Sequence, residues 1–166
     1  MPTTNYVYFD SCVFLSYFNN ETNRADIIEQ ILDETHEDKN RFIVTSSLSI
    51  TEVAFVAGEK ASNKKSRLRF DTEEKFDLLW RDSSILRFVD FQENLARKAR
   101  QLMRITSERG YRLKPADAIH LVSAELVGAS EFFTYDDLEK YSSFISIDIK
   151  LPYVVSRRMF NDQDFD

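Results

Sequence analysis

Short runs of aromatic and β-branched residues alternate along this chain with stretches of helical periodicity, and that alternation limits the fold more than any other feature. Tyr6-Val7-Tyr8-Phe9, Phe42-Ile43-Val44-Thr45, Ile85 to Val89 and Phe132-Phe133-Thr134 read as strands, with Ile145-Ser146-Ile147 as a candidate fifth. Between them, Val13, Phe14 and Phe18 follow helical spacing, and residues 24–39 place Ile27, Ile28, Ile31 and Leu32 on one helix face. A helix capped by Ser46 or Ser47 carries Ile50, Val53, Ala54 and Ala57. Further helices are expected over 71–81, over 92–109 ended by Gly110, and from Pro115 to about Val127. Strands alternating with helices imply an α/β fold, a three-layer α/β/α domain around a central parallel sheet. We expect one domain over residues 1–150 and a partly disordered extension over 151–166.

Composition removes several kinds of chemistry. The three glycines, at 58, 110 and 128, form no G-x-G, which excludes a dinucleotide fingerprint and a P-loop. One cysteine, Cys12, excludes an internal disulfide and a Cys₄ zinc site, and two histidines are too few for a His₃ site. With 28 acidic residues available, chemistry here is expected to run on carboxylates. The N-terminal residues carry no basic leader and no stretch is apolar for long enough to span a bilayer, so the expected location is the cytoplasm.

Net charge is −6, yet segments 60–69 and 97–114 hold twelve of the 22 basic residues and a single acid, Glu108. A basic face on an acidic protein is therefore open, although each run alone reads more simply as a solvated helix face. Arg112 and Lys114 carry more weight, because they precede a helix bearing an acid and would reach phosphates near it.

In open parallel sheets, ligands bind beyond the carboxyl ends of the strands. Asp10 ends the first strand and Asp136 follows the fourth, while Glu52 and Asp117 lie in helices that start at the same edge. Gathered without cations, four carboxylates repel and raise one another's pKa values. A hard divalent cation, Mg²⁺ or Mn²⁺, relieves that repulsion and suits phosphodiester hydrolysis. Glu52 or Asp117 alone is as well explained as a favourable charge at a helix start, whereas Asp10, closing an apolar strand at the ligand edge, is harder to dismiss.

The motifs Tyr8-Phe9-Asp10-Ser11, Ser49-Ile50-Thr51-Glu52-Val53, Pro115-Ala116-Asp117-Ala118-Ile119-His120 and Phe133-Thr134-Tyr135-Asp136 resemble, in order and separation, those of PIN-domain ribonucleases, including VapC toxins. The resemblance implies a metal-dependent endoribonuclease acting on single-stranded or loop RNA. It makes Asp10 and Asp117 the principal metal ligands, with Glu52 and Asp136 completing an acidic quartet. Asp137, next in sequence, competes for the fourth position. Ser11 matches the hydroxyl residue that follows the first aspartate, where it would orient a water or ligand oxygen; Cys12 replaces the family's usual asparagine or serine. The resemblance also implies a cognate antitoxin as partner.

Other readings stay open at this point. They are a non-catalytic RNA- or protein-binding module on the same fold, and a different phosphohydrolase, for which the D-x-D-x-T signature is missing after the first strand. His120 is expected to pack or hydrogen-bond rather than ligate, and His36 to be incidental. Trp80, Phe76 and Leu79 suit a core face better than a base-stacking one. Phe14 and Phe18 likewise suit the core, with a homodimer seam as the alternative. Asp162, Asp164 and Asp166 could fold back to compete with RNA, though a solvated end is the simpler expectation.

Overall fold

The computed structural model describes residues 3–59 and 67–155. Much of the basic run at 60–69 and the acidic tail at 161–166 lie outside the described residues.

Five parallel strands form one sheet: β1 (Asn5–Phe9), β2 (Arg41–Ser46), β3 (Leu86–Val89), β4 (Glu131–Phe133) and β5 (Asp148–Lys150), in the order β3-β2-β1-β4-β5. The helices are α1 (Ser11–Phe18), α2 (Ala25–Glu37), α3 (Leu48–Glu52), α4 (Thr72–Trp80), α5 (Glu93–Glu108) and α6 (Pro115–Leu126), and Glu139–Phe144 makes a 3₁₀ turn. The expected α/β/α sandwich is thus present. Chain order runs outward from β1 through β2 to β3, then crosses to β4 and β5, so the sheet's switch point lies between β1 and β4.

Side-chain alternation along β1 assigns the two faces. Val7 and Phe9 join Val13, Phe14, Ile28, Ile31, Phe76 and Leu79 on the face covered by α1, α2 and α4. Tyr8 points the other way, into a core with Leu95, Leu102, Leu121 and Phe132 beneath α5 and α6. Register pairs Tyr8 with Val44 on one side and Phe132 on the other, and Tyr8 stacks on Phe132 with centroids 5.0 Å apart.

Phe14 is fully buried and meets Trp80 edge-to-face at 4.9 Å, while Phe18 meets Phe76 at 4.6 Å. These rings close the α1–α4 contact inside one chain, as the core reading expects. Truncating a buried ring removes its transfer energy and leaves a cavity. Phe14→Ala is therefore expected to lower stability by about 3–5 kcal/mol, read from the midpoint of a denaturant melt.

Two expectations need correction. The fifth strand is Asp148–Lys150, not 145–147: Ile145 and Ile147 are buried as core contacts, and only the next residues pair with β4. Apolar character there marks packing, whereas an edge strand carries charge on its outer positions, and here Asp148 and Lys150 pair at 2.7 Å. The helix after β2 ends at Glu52, because Val53 leaves the helical region at φ −98°, ψ 55°; Ala54 and Ala57 lie beyond it. Neither serine caps it in the ordinary way: Ser46 Oγ accepts from the Leu48 N–H, and Ser47 Oγ from the Phe91 N–H.

Glu59, 1% exposed, gathers the chain on both sides of residues 60–66. Its carboxylate accepts from the Val56 N–H, the Arg69 N–H and the Thr72 hydroxyl. These donors, the Thr72 hydroxyl foremost, hold its pKa below the usual carboxylate value. A depressed folded-state pKa means the stabilisation exists above the unfolded value and is lost as pH falls through the folded one. Glu59→Ala is expected to speed tryptic cutting after Arg67 and Arg69 at neutral pH. Acidification through the lowered pKa should loosen the same contacts in the wild type, read as faster cutting by an acid-active protease such as pepsin.

Candidate metal centre

At the switch point the backbone turns directly from β1 into α1, and Asp10 occupies the junction. Its extended φ −70°, ψ 156° suits an N-cap, and its Oδ1 accepts from the Ser11 N–H at 2.8 Å. Oδ2 accepts from the Thr134 hydroxyl at 2.8 Å and from the Cys12 thiol at 3.5 Å. A carboxylate offers about four lone-pair sites, so these donors leave one for another partner.

The other acids arrive from three separate segments. Asp136 follows β4 after a turn in which its own N–H donates to Thr134 Oγ1, and ligand atoms of Asp10, Cys12 and Asp136 all lie within 4.8 Å of one another. Asp117 sits in the first turn of α6, which Pro115 opens. Glu52 ends α3 and reaches His120 Nε2 at 2.5 Å, and that same nitrogen is 3.7 Å from Asp10 Oδ1. Asp137 points away and pairs with Lys140 at 3.0 Å.

Electrostatics reflect the crowding. Burial raises the Asp10 carboxyl above its ordinary pKa, with Asp136 adding to the rise and His120, Thr134 and Ser11 opposing it. Asp117 is raised too, by burial first and then by the charges of Asp10 and Asp136, against His120 and Lys114. Fixed carboxylates that resist ionisation together are a site in want of positive charge.

The donor set fits a hard divalent ion, since Asp10, Asp117, Asp136 and Glu52 offer only carboxylate oxygens. Cys12 is the exception. Burial pushes its thiol far above the ordinary range, and its Sγ is occupied by Asp10, Thr134 and the Tyr135 N–H. It is a neutral thiol bracing the β1–β4 junction, where asparagine or serine was the expected type.

His120 is 1% exposed and joins two layers of polar groups. The Tyr8 hydroxyl lies 2.7 Å from its Nδ1 and accepts from the Ser46 N–H at 2.9 Å. Burial, with Asp10 adding, raises the Tyr8 pKa, so the phenol keeps its proton. The Tyr8 hydroxyl thus links the Ser46 N–H to Nδ1 of His120, whose Nε2 meets Glu52. This is a hydrogen-bonding histidine, as expected. Its grip on Glu52 and its support by Tyr8 had no signal in the sequence.

Thr134 was also overlooked, although it carried the same mark as Asp10, a polar residue closing an apolar strand at the ligand edge. Ser11 contributes its backbone N–H, and its hydroxyl makes no hydrogen bond among the described residues. Arg112 and Lys114 line a neighbouring recess, and the charge of Lys114 acts on Asp117. His36 is a surface partner of Asp82 at 3.1 Å, and Trp80, half-buried, packs against the core.

Carboxylates thus gather beyond the strand ends at the switch point of a parallel α/β sheet, a cluster that could hold a metal ion. The chain belongs to the PIN domain family, whose model matches residues 7–140.

Solved structures agree on the fold. VapBC2 from Rickettsia felis, bound to a DNA fragment from its promoter, aligns with TM-score 0.65 at 15% identity, over 88% of this chain and 98% of that one. DNA-bound VapBC from Salmonella typhimurium gives 0.58 at 16%, covering 88% and 97%. Mycobacterium tuberculosis VapC20, a toxin that cleaves the sarcin-ricin loop, gives 0.59 at 13%, covering 86% and 98%. No curated protein sequence gives a match.

Proposed function

We propose that this protein is a metal-dependent endoribonuclease that hydrolyses phosphodiester bonds of single-stranded or loop RNA. The observation that carries the reading is the convergence of Asp10, Glu52, Asp117 and Asp136, from four distant chain segments, on the switch point of a PIN-family sheet. Asp10 and Asp117 are the principal ligands in this reading, and Glu52 and Asp136 complete the set. Mg²⁺ or Mn²⁺ bound there offsets the carboxylate repulsion and makes an attacking water more acidic.

The chain's own residues do the rest. Thr134 and the Ser11 N–H hold Asp10 in one orientation, and His120 holds one oxygen of Glu52, leaving the other for the site. Asp136 and Glu52 are the more accessible carboxylates, with the Glu52 side chain 28% exposed, and are proposed to accept a proton from water. Ser11 is proposed to orient a water or ligand oxygen. Arg112 and Lys114 are proposed to hold phosphates flanking the scissile bond. Water attacks phosphorus, the P–O3′ bond breaks, and the products carry a 5′-phosphate and a 3′-hydroxyl.

The solved neighbours include toxin–antitoxin complexes, which supports reading this chain as the toxin of such a pair with a cognate antitoxin. Among the described residues no helix is long and apolar enough to cross a membrane, which is consistent with a cytoplasmic role. A homodimer is compatible with the fold.

End-labelled RNAs incubated with the pure protein in Mg²⁺, Mn²⁺ or EDTA test the activity. Cutting in either metal and none in EDTA is expected. No cutting of any RNA by folded, partner-free protein would favour a binding module instead.

A further inference from the structure

The connection between α5 and α6, residues 109–114, walls a recess of about 790 Å³ that none of the four acids lines. Met103, Ser107, Tyr111, Arg112, Lys114 and Pro115 surround it. The Tyr111 ring is braced edge-on by two others, Tyr141 at 5.7 Å and Phe144 at 5.8 Å, yet the residue remains 37% exposed. Leu113 turns inward and is buried, which leaves Arg112 and Lys114 on the outside. Neither forms an ion pair among the described residues, on a chain whose net charge is −6. Lys114 is the residue before α6 and its charge acts on Asp117, so the recess abuts the acid cluster.

An aromatic ring held in place by its neighbours loses little freedom when a flat ligand stacks on it, and unpaired cations beside it suit phosphates on either side. An apolar peptide would use the ring but leave both cations unmatched. We propose that this recess is a nucleotide-binding subsite, in which Tyr111 stacks on a base of single-stranded RNA while Arg112 and Lys114 hold the adjoining phosphates and lead the strand to the acids. The subsite rests on the ribonuclease reading above.

Its test uses the full chain carrying Asp10→Asn, titrated into a single-stranded oligoribonucleotide containing 2-aminopurine, whose fluorescence falls on stacking. Binding with quenching is expected. Adding Tyr111→Ala should abolish the quenching and weaken binding by roughly five- to a hundredfold, and Tyr111→Phe, which keeps the ring, should preserve both. Independently of any folding defect at Tyr111, Arg112→Gln with Lys114→Gln should reduce the slope of log affinity against log salt by about 0.7 per lost phosphate contact. Undiminished quenching in Tyr111→Ala overturns the subsite. So does a change of oligomeric state with RNA affinity intact, which would make the recess a contact between copies. If Tyr111→Ala leaves cleavage and binding untouched while wild type cuts RNA, the subsite alone falls; if wild type neither cuts nor binds RNA, the ribonuclease reading falls with it.

Discussion

Asp10→Asn is expected to lower metal-dependent cleavage by about 10³-fold or more while making the metal-free protein more stable, not less. The two effects share one cause. Asp10 is 1% exposed, and its carboxyl is raised by burial and by Asp136. Asparagine retains an oxygen for the Ser11 N–H and presents an amide to Thr134 Oγ1, a hydroxyl able to reverse its role, so the local bonds survive. What disappears is a buried negative charge and an oxygen proposed to ligate the metal.

The sign of the pH dependence follows. Asp10 and Asp117 both have folded-state pKa values raised above their unfolded ones. Their contribution to stability is therefore complete below the ordinary carboxylate range near pH 4 and is lost as pH rises through the raised values. Metal-free wild type should melt at progressively lower temperature across that window. Asp10→Asn should show a shallower fall, and Mg²⁺ or Mn²⁺ should raise the wild-type melting temperature more than the variant's. A variant that cuts as well as wild type would remove Asp10 from the site.

His120→Ala is expected to be the costliest change among the residues that touch the acids without being acids themselves. The side chain is buried and fills space between Tyr8 and Glu52, so its removal opens a cavity and strands a phenol. The expected loss is about 2–4 kcal/mol, seen as a lowered denaturation midpoint. Activity should also fall, because Glu52 loses the donor that fixes one of its oxygens. Tyr8→Phe separates the two effects. It keeps the ring in the core but leaves Nδ1 without its Tyr8 partner, at a cost of about 1–3 kcal/mol. Cleavage reduced in Tyr8→Phe, under conditions where the protein stays folded, would show that the hydrogen-bonded chain of Tyr8, His120 and Glu52 matters to the site. Wild-type cleavage by both variants would reduce the triad to packing.

Much of the molecule was legible in the chain because its signals are local. Val7 and Phe9 alternate with Tyr8, and Phe42-Ile43-Val44 is apolar throughout, since a parallel strand covered on both sides needs apolar residues on both faces. Pro115 and Gly110 bracket a helix start and a helix end for backbone reasons that act within a few residues. The same locality explains the misplaced fifth strand. Ile145 and Ile147 pack like strand residues, but hydrogen bonding to β4 begins only at Asp148, and pairing is a property of two segments rather than one.

The acids followed a similar division. Asp10 announced itself by closing an apolar strand, and parallel topology then told which edge the others would share. The sequence by itself thus determined the α/β architecture and marked Asp10, Glu52 and Asp117 as candidate site acids, with the fourth left between Asp136 and Asp137. Only the tertiary structure set Asp136 beside Asp10 and Asp137 against Lys140. It alone joined Tyr8, His120 and Glu52, residues up to 112 positions apart, and set Thr134 against Asp10 across 124. Hydrogen bonds have a reach of about 3 Å and leave no periodic trace in the chain, so such partnerships exist only once the sheet has brought its strand ends together.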